Sequence, residues 1–105
     1  MSLFDLLKAP DINQGVKEYR ESPGALLLDV RSPQEYREGH IPGSINLPLS
    51  QLSGIDELAE SRDVPLFVYC LSGARSRQAA ALLQHMGYSA KNLGGISAWK
   101  GKLKQ

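Results

Sequence analysis

Cysteine is nearly absent from this sequence: Cys70 is the only one among 105 residues. An internal disulfide is therefore excluded, and a reducing, cytoplasmic setting is the simplest expectation. There are only two histidines and no Cys/His cluster at ligand spacing, so neither a metal nor another cofactor is expected. No apolar run approaches the ~18 residues of a membrane span, which argues against a membrane partner. An excess of charge is missing too. Twelve basic against eleven acidic residues give a net charge of +1, no electrostatic footprint for nucleic acid. Lys100, Lys102 and Lys104 make the tail mildly basic, with the spacing of a solvated end rather than a binding patch. Residues 1–11, MSLFDLLKAPD, have an acid at Asp5 and no basic region ahead of an apolar stretch, so they do not read as a signal peptide. Repeats and low-complexity segments are also absent. The length suits one compact domain over residues 1–105, and nothing in it demands more than a monomer.

What is present is ordinary for a globular chain, 42% apolar and 22% charged. Asp11 is placed to cap a helix over residues 12–21, where Ile12, Val16 and Tyr19 share one face. After Pro23-Gly24, residues 25–30 (ALLLDV) form a continuous apolar run of the kind buried on both faces of a parallel sheet. Ser32-Pro33-Gln34-Glu35 reads as a capping box with proline at the first helical position, and Gly39 should end that helix. A brief strand at 44–47 and a short helix at 55–60 precede a second buried strand at 65–69. Helical periodicity runs over 76–86 until Gly87. A last strand at 90–93, a turn at Gly94-Gly95 and a helical turn or two at 96–100 complete the reading. Apolar strands alternating with helices predict an open, mostly parallel α/β sheet covered on both faces. Ligands of such sheets bind beyond the carboxyl ends of the strands, where Asp29 and Cys70 both fall.

Cys70 ends its apolar run and is followed by Leu71-Ser72-Gly73-Ala74-Arg75-Ser76. Burial statistics alone make a cysteine at a strand end a small hydrophobe. The residues after it support a different role. Gly73 and its small neighbours let a tight loop fold back around the sulfur. The helix that starts at once points free N–H groups and a positive dipole end at the same place. Amides from Leu71 to Ser76 can form an anion-binding nest, with Arg75 adding a full charge. A thiolate nucleophile needs such surroundings. A thiol of pKa ~8.5 is about 3% ionised at pH 7, and one of ~6.5 about 75%.

Three segments resemble the single-domain rhodanese-like sulfurtransferases. They are LLDVRSP at 27–33 with Glu35-Tyr36 and GHIPGS at 39–44; CLSGARS at 70–76; and LGGI at 93–96 with Trp99. The resemblance implies an open, mostly parallel five-stranded sheet with helices on both faces. It also implies a cysteine, Cys70, that accepts a sulfane sulfur as a persulfide. The expected partners are a small sulfur-donor anion or persulfide and a thiol or cyanide acceptor, a protein thiol included. No second cysteine can resolve the persulfide, so the acceptor must come from outside.

A related branch of the fold, with phosphatase or arsenate-reductase chemistry, carries loops that resemble C-x5-R. Here four residues separate Cys70 from Arg75, and the shorter loop suits one added sulfur better than a tetrahedral oxyanion. A non-catalytic binding module is the third reading, and the retained cysteine counts against it. Leu71 and Ser72 are uncharged, and Glu35 stands where some thiosulfate enzymes have arginine. Polysulfide or a thiol persulfide is therefore the expected donor ahead of thiosulfate.

Asp29 and Arg31, two apart at a strand end, can point to one side. Asp29 is read as structural, in a pair with Glu35 or with loop amides, while Arg31 could equally attract the donor. His40, in GHIPG, is read as tying a loop to the body, as its counterpart in the family does. His85 lies late in a helix and is expected at the surface. Residues 95–102, GISAWKGK, have the wrong spacing for a phosphate-binding P-loop, with Leu103 in place of Ser/Thr.

Overall fold

A computed structural model describes residues 9–105, so most of the stretch judged not to be a signal peptide lies outside the described residues. Helix α1 (Ile12–Arg20) begins where Asp11 Oδ1 accepts from the amides of Asn13 and Gln14, at 3.0 and 3.4 Å. Strand β1 (Leu26–Asp29) leads into helix α2 (Pro33–Glu38), which opens on the expected capping box. Ser32 Oγ accepts from the Glu35 amide and Glu35 Oε1 accepts from the Ser32 amide. Strand β2 (Ile45–Asn46) is followed by a 3-10 segment (Leu49–Gly54) and helix α3 (Ile55–Leu58). Strand β3 (Leu66–Cys70), helix α4 (Ala74–His85), strand β4 (Ala90–Gly95) and a 3-10 turn (Ile96–Ala98) complete the chain.

The sheet has four strands in the order β2-β1-β3-β4, and every pair is parallel. The five strands expected reduce to four among the described residues. The tail makes only an isolated antiparallel bridge, Lys104 to His40, and no ladder. The Gly94-Gly95 turn is also corrected. Both glycines extend β4, with Gly95 opposite Cys70, and β3 runs one residue further than expected to include the cysteine.

Side chains alternate across the pleat and divide the core in two. Leu28, Leu66, Val68 and Cys70 pack with Ile55, Ala79 and Leu83 on the side of α3 and α4. Leu27, Phe67, Tyr69 and Leu93 pack with Ile12 and Val16 of α1 on the other, where Trp99 joins them at the edge. Each fully buried leucine or isoleucine contributes about 2 kcal/mol of hydrophobic free energy. Both faces carry helices, as the apolar strands predicted. No helix among the described residues is long and apolar enough to cross a membrane.

Candidate active site

Cys70 occupies the last position of β3, on the α4 side of the sheet, and is only 1% exposed. The chain turns at Gly73, whose φ of +102° lies in the left-handed region open to glycine. Gly73 is also the N-cap of the 12-residue α4 and offers no side-chain cap. The first amides of the helix therefore remain free to face inward. The Gly73 amide donates to Cys70 Sγ at 3.0 Å, and the Ser76 hydroxyl lies 3.4 Å from the same sulfur.

Burial pushes the Cys70 thiol up. The Ser76 hydroxyl and the amides of Ser76, Gly73 and Ser72 act against burial and win, so the net shift is below the ordinary thiol value. The loop can wrap this tightly because of Gly95. A Cβ there would stand 2.2 Å from the Leu71 carbonyl oxygen and 2.7 Å from Ser72 Cα, so only glycine admits the loop.

Arg75 does not direct an unmatched charge at the sulfur, as the sequence reading expected. It grips Glu35 in a bidentate pair at 2.7 and 2.9 Å. The Arg75 guanidinium, together with the Ser32 amide and hydroxyl, holds the Glu35 carboxyl far below the usual carboxylate range, at about 2, although burial opposes this. Glu35 thus belongs to α2's capping box and to a clamp on the first turn of α4.

Arg31 is likewise taken up by its neighbours. Its Nε and Nη2 reach both oxygens of Asp29 at 2.7–3.1 Å, and Nη2 donates to the Gly39 carbonyl at 2.6 Å. Asp29 is fully buried and Arg31 5% exposed. The edge of Arg31 that remains lines a groove of about 430 Å³ together with Glu35, Gly39, Leu71, Ile96 and Leu103. Across the loop, Ser72, Gly73, Arg77 and Asn92 line a second groove of about 560 Å³. Leu71 is 47% exposed at the rim, whereas Ala74 simply opens α4.

His40 sits away from this constellation. Its Nδ1 donates to the Tyr36 carbonyl at 2.8 Å, its ring stacks on Tyr36 with centroids 3.7 Å apart, and its backbone pairs with Lys104. Tyr69, fully buried, anchors the same GHIPG segment. Its hydroxyl accepts from the Ile41 amide and meets Ser44 Oγ. Sequence reasoning singled out neither Tyr69 nor Asn92. Asn92 Oδ1 lies 2.7 Å from Ser76 Oγ and accepts from the Gly94 amide at 2.9 Å. The signal was a lone amide side chain in a short strand ending beside the cysteine loop.

The arrangement can stabilise one negative sulfur at the carboxyl end of the sheet. Residues 13–102 match the rhodanese-like domain. A protein named sulfurtransferase from Allochromatium vinosum is 43% identical over 82 residues, 75% of this chain and 75% of its own length. The Bacillus subtilis protein YqhL, uncharacterised, is 42% identical over 84 residues, 76% of this chain. The matched region spans 64% of YqhL. Among solved structures, a rhodanese with anions from E. coli superposes with a TM-score of 0.72 at 31% identity, over 77% of this chain and 98% of that one. The chain therefore belongs to the rhodanese-like domain family, and the relative 43% identical to it is named a sulfurtransferase.

Proposed function

We propose that the protein is a sulfurtransferase in which Cys70 carries a sulfane sulfur as a persulfide. One observation carries this reading: the Gly73 amide and the Ser76 hydroxyl converge on the sulfur of a buried, free cysteine at a strand's carboxyl end. In the first half-reaction the Cys70 thiolate attacks the outer sulfur of the donor. The new S–S bond forms as the donor's bond to that sulfur breaks, and the donor fragment leaves with the electron pair, as sulfite or a thiolate. The loop amides stabilise the persulfide anion. In the second half-reaction an external thiolate or cyanide attacks the terminal sulfur, and Cys70 leaves as thiolate. No oxidant or reductant is consumed, and no base is required once the thiol is ionised.

Leu71, Ser72, Gly73, Ala74, Arg75 and Ser76 enclose the transferred sulfur, and Asp29, Glu35 and His40 support the loop's surroundings. Charge gives no advantage to thiosulfate, a compact dianion with a fully charged sulfonate end. The two cations on the β1 side, Arg31 and Arg75, are each matched by a carboxylate, and the exposed loop residue is a leucine. Arg77 has no carboxylate partner among the described residues, but it lines the opposite groove. Polysulfide or a thiol persulfide should therefore load Cys70 faster than thiosulfate does. The short C-x4-R loop weighs against phosphatase or arsenate chemistry.

Mass spectrometry of the protein after treatment with sulfane donors tests the proposal. The expected result is a gain of one sulfur on Cys70 that cyanide reverses. No adduct with thiosulfate, polysulfide or a thiol persulfide would sink it.

A further inference from the structure

Ser76 has one hydroxyl proton and four acceptors around it. Its Oγ lies 2.7 Å from Asn92 Oδ1, 3.2 Å from the Gly73 carbonyl, 3.3 Å from the Gly94 carbonyl and 3.4 Å from Cys70 Sγ. Ser76 is 0% exposed, so bulk water does not offer a substitute proton. The nearest acceptor is also a well-fixed one. Asn92 Oδ1 takes a second bond from the Gly94 amide, and Nδ2 faces the Gly73 carbonyl at 3.5 Å, which orients the amide with oxygen toward Ser76.

Backbone register puts Asn92 there. The pairing of β3 with β4 slips between Val68 and Tyr69: Val68 faces Asn92, and Tyr69 faces Gly94. The extra residue, Leu93, fills the α1-side core, while Asn92 turns toward the cysteine loop.

From this geometry, and resting on the reading of Cys70 as the sulfur nucleophile, we infer that Asn92 is a positioning residue that competes with Cys70 for the Ser76 proton. The hydroxyl donates to Asn92 while the sulfur is uncharged and swings to the sulfur when a thiolate or persulfide anion forms. The competition leaves the anion less firmly hydrogen-bonded than Ser76 alone would make it. A less quenched thiolate keeps more of its nucleophilicity.

The charged groups nearby hold a constant state in the range that matters. Arg75 with Glu35 and Arg31 with Asp29 are ion pairs, Lys91 of β4 pairs with Glu18, and Tyr69 is pushed up by burial and stays neutral. His85 at the end of α4 and His40, bonded to Tyr36 and Lys104, make no hydrogen bond to Cys70, Ser76 or Asn92 and are common to all the variants, so differences between their profiles report the sulfur.

The test is the pH profile of Cys70 alkylation by iodoacetamide in the wild type, Asn92→Ala, Ser76→Ala and the double variant. Freeing the Ser76 proton in Asn92→Ala should lower the midpoint by about one pH unit, the scale of one hydrogen bond to an ionised group. The limiting rate at full ionisation should fall with it. In the Ser76→Ala background the same substitution should leave the midpoint unmoved. A purely structural Asn92 would instead loosen the loop and raise the midpoint in both backgrounds, and that outcome would overturn the inference. If Asn92→Ala does not fold, Asn92→Asp serves, because it keeps the acceptor and strengthens it. Its midpoint should rise more with Ser76 present than in Ser76→Ala, and equal rises would contradict the competition. Alkylation does not depend on sulfur transfer. Failure to form a persulfide would thus remove the proposed function, whereas an unmoved Asn92→Ala midpoint in a protein that transfers sulfur would remove only the competition for the Ser76 proton.

Discussion

Two regions meet at the carboxyl end of the sheet and are built on opposite principles. The segment from Asp29 to Ser44 is closed by side chains: Arg31 on Asp29, Glu35 on Ser32 and Arg75, His40 on Tyr36, and Ser44 on Tyr69. The segment from Cys70 to Ser76 is built mainly from backbone, with small residues that turn amides inward. In the first region the named charges find protein partners. In the second, the donors that remain open converge on one sulfur. Side-chain pairs supply rigidity on one side, and unspent backbone dipoles supply reactivity on the other.

Breaking each region should therefore fail in a different way. The largest effect belongs to Cys70→Ser, which should abolish sulfur loading and turnover while thermal stability stays within ~1 kcal/mol of wild type, since it exchanges one buried small side chain for another. Equal activity in the variant would remove the assigned nucleophile. Asp29→Asn should act on stability instead. It leaves the Arg31 guanidinium buried without its counter-charge, at a cost of about 3 kcal/mol in denaturant unfolding. An unchanged midpoint would show that the Arg31 guanidinium does not need the Asp29 charge.

Glu35→Gln should be milder, about 1 kcal/mol, because the Glu35 and Arg75 side chains are 29% and 38% exposed and water screens them. Its pH dependence has a definite sign. The folded carboxyl lies below the unfolded one, so its contribution is complete above the unfolded value near ~4.3 and is lost as pH falls toward about 2. The stability gap between wild type and Glu35→Gln should shrink over that window. A gap that persists at the acid end would mean that the ion pair is not its source.

Local signals in the sequence were strong wherever a residue acts on its own backbone. Asp11 and Ser32 cap the helices they were expected to cap, and Gly73 takes up the backbone angle the loop needs. The cysteine's place at the strand end was equally legible, since apolar run length and the following glycine both mark it. Long-range choices were not. Whether Arg75 faces the sulfur or Glu35 depends on a contact across 40 residues, and sequence spacing carries no information about it. Asn92 depends on a register slip in the β3–β4 pairing, and Gly95 on the approach of Leu71. The strand count differs in kind: the residues themselves marked four strand stretches, which are the four that form among the described residues, whereas the fifth was implied by the resemblance alone.

The central claim is that the loop, through its amides and the Ser76 hydroxyl, holds Cys70 as a thiolate. The pH dependence of alkylation of the wild-type protein tests it most directly. The midpoint should fall below the ~8.5 of a free thiol and rise in Ser76→Ala. A wild-type midpoint at or above ~8.5, unchanged by that substitution, would contradict it.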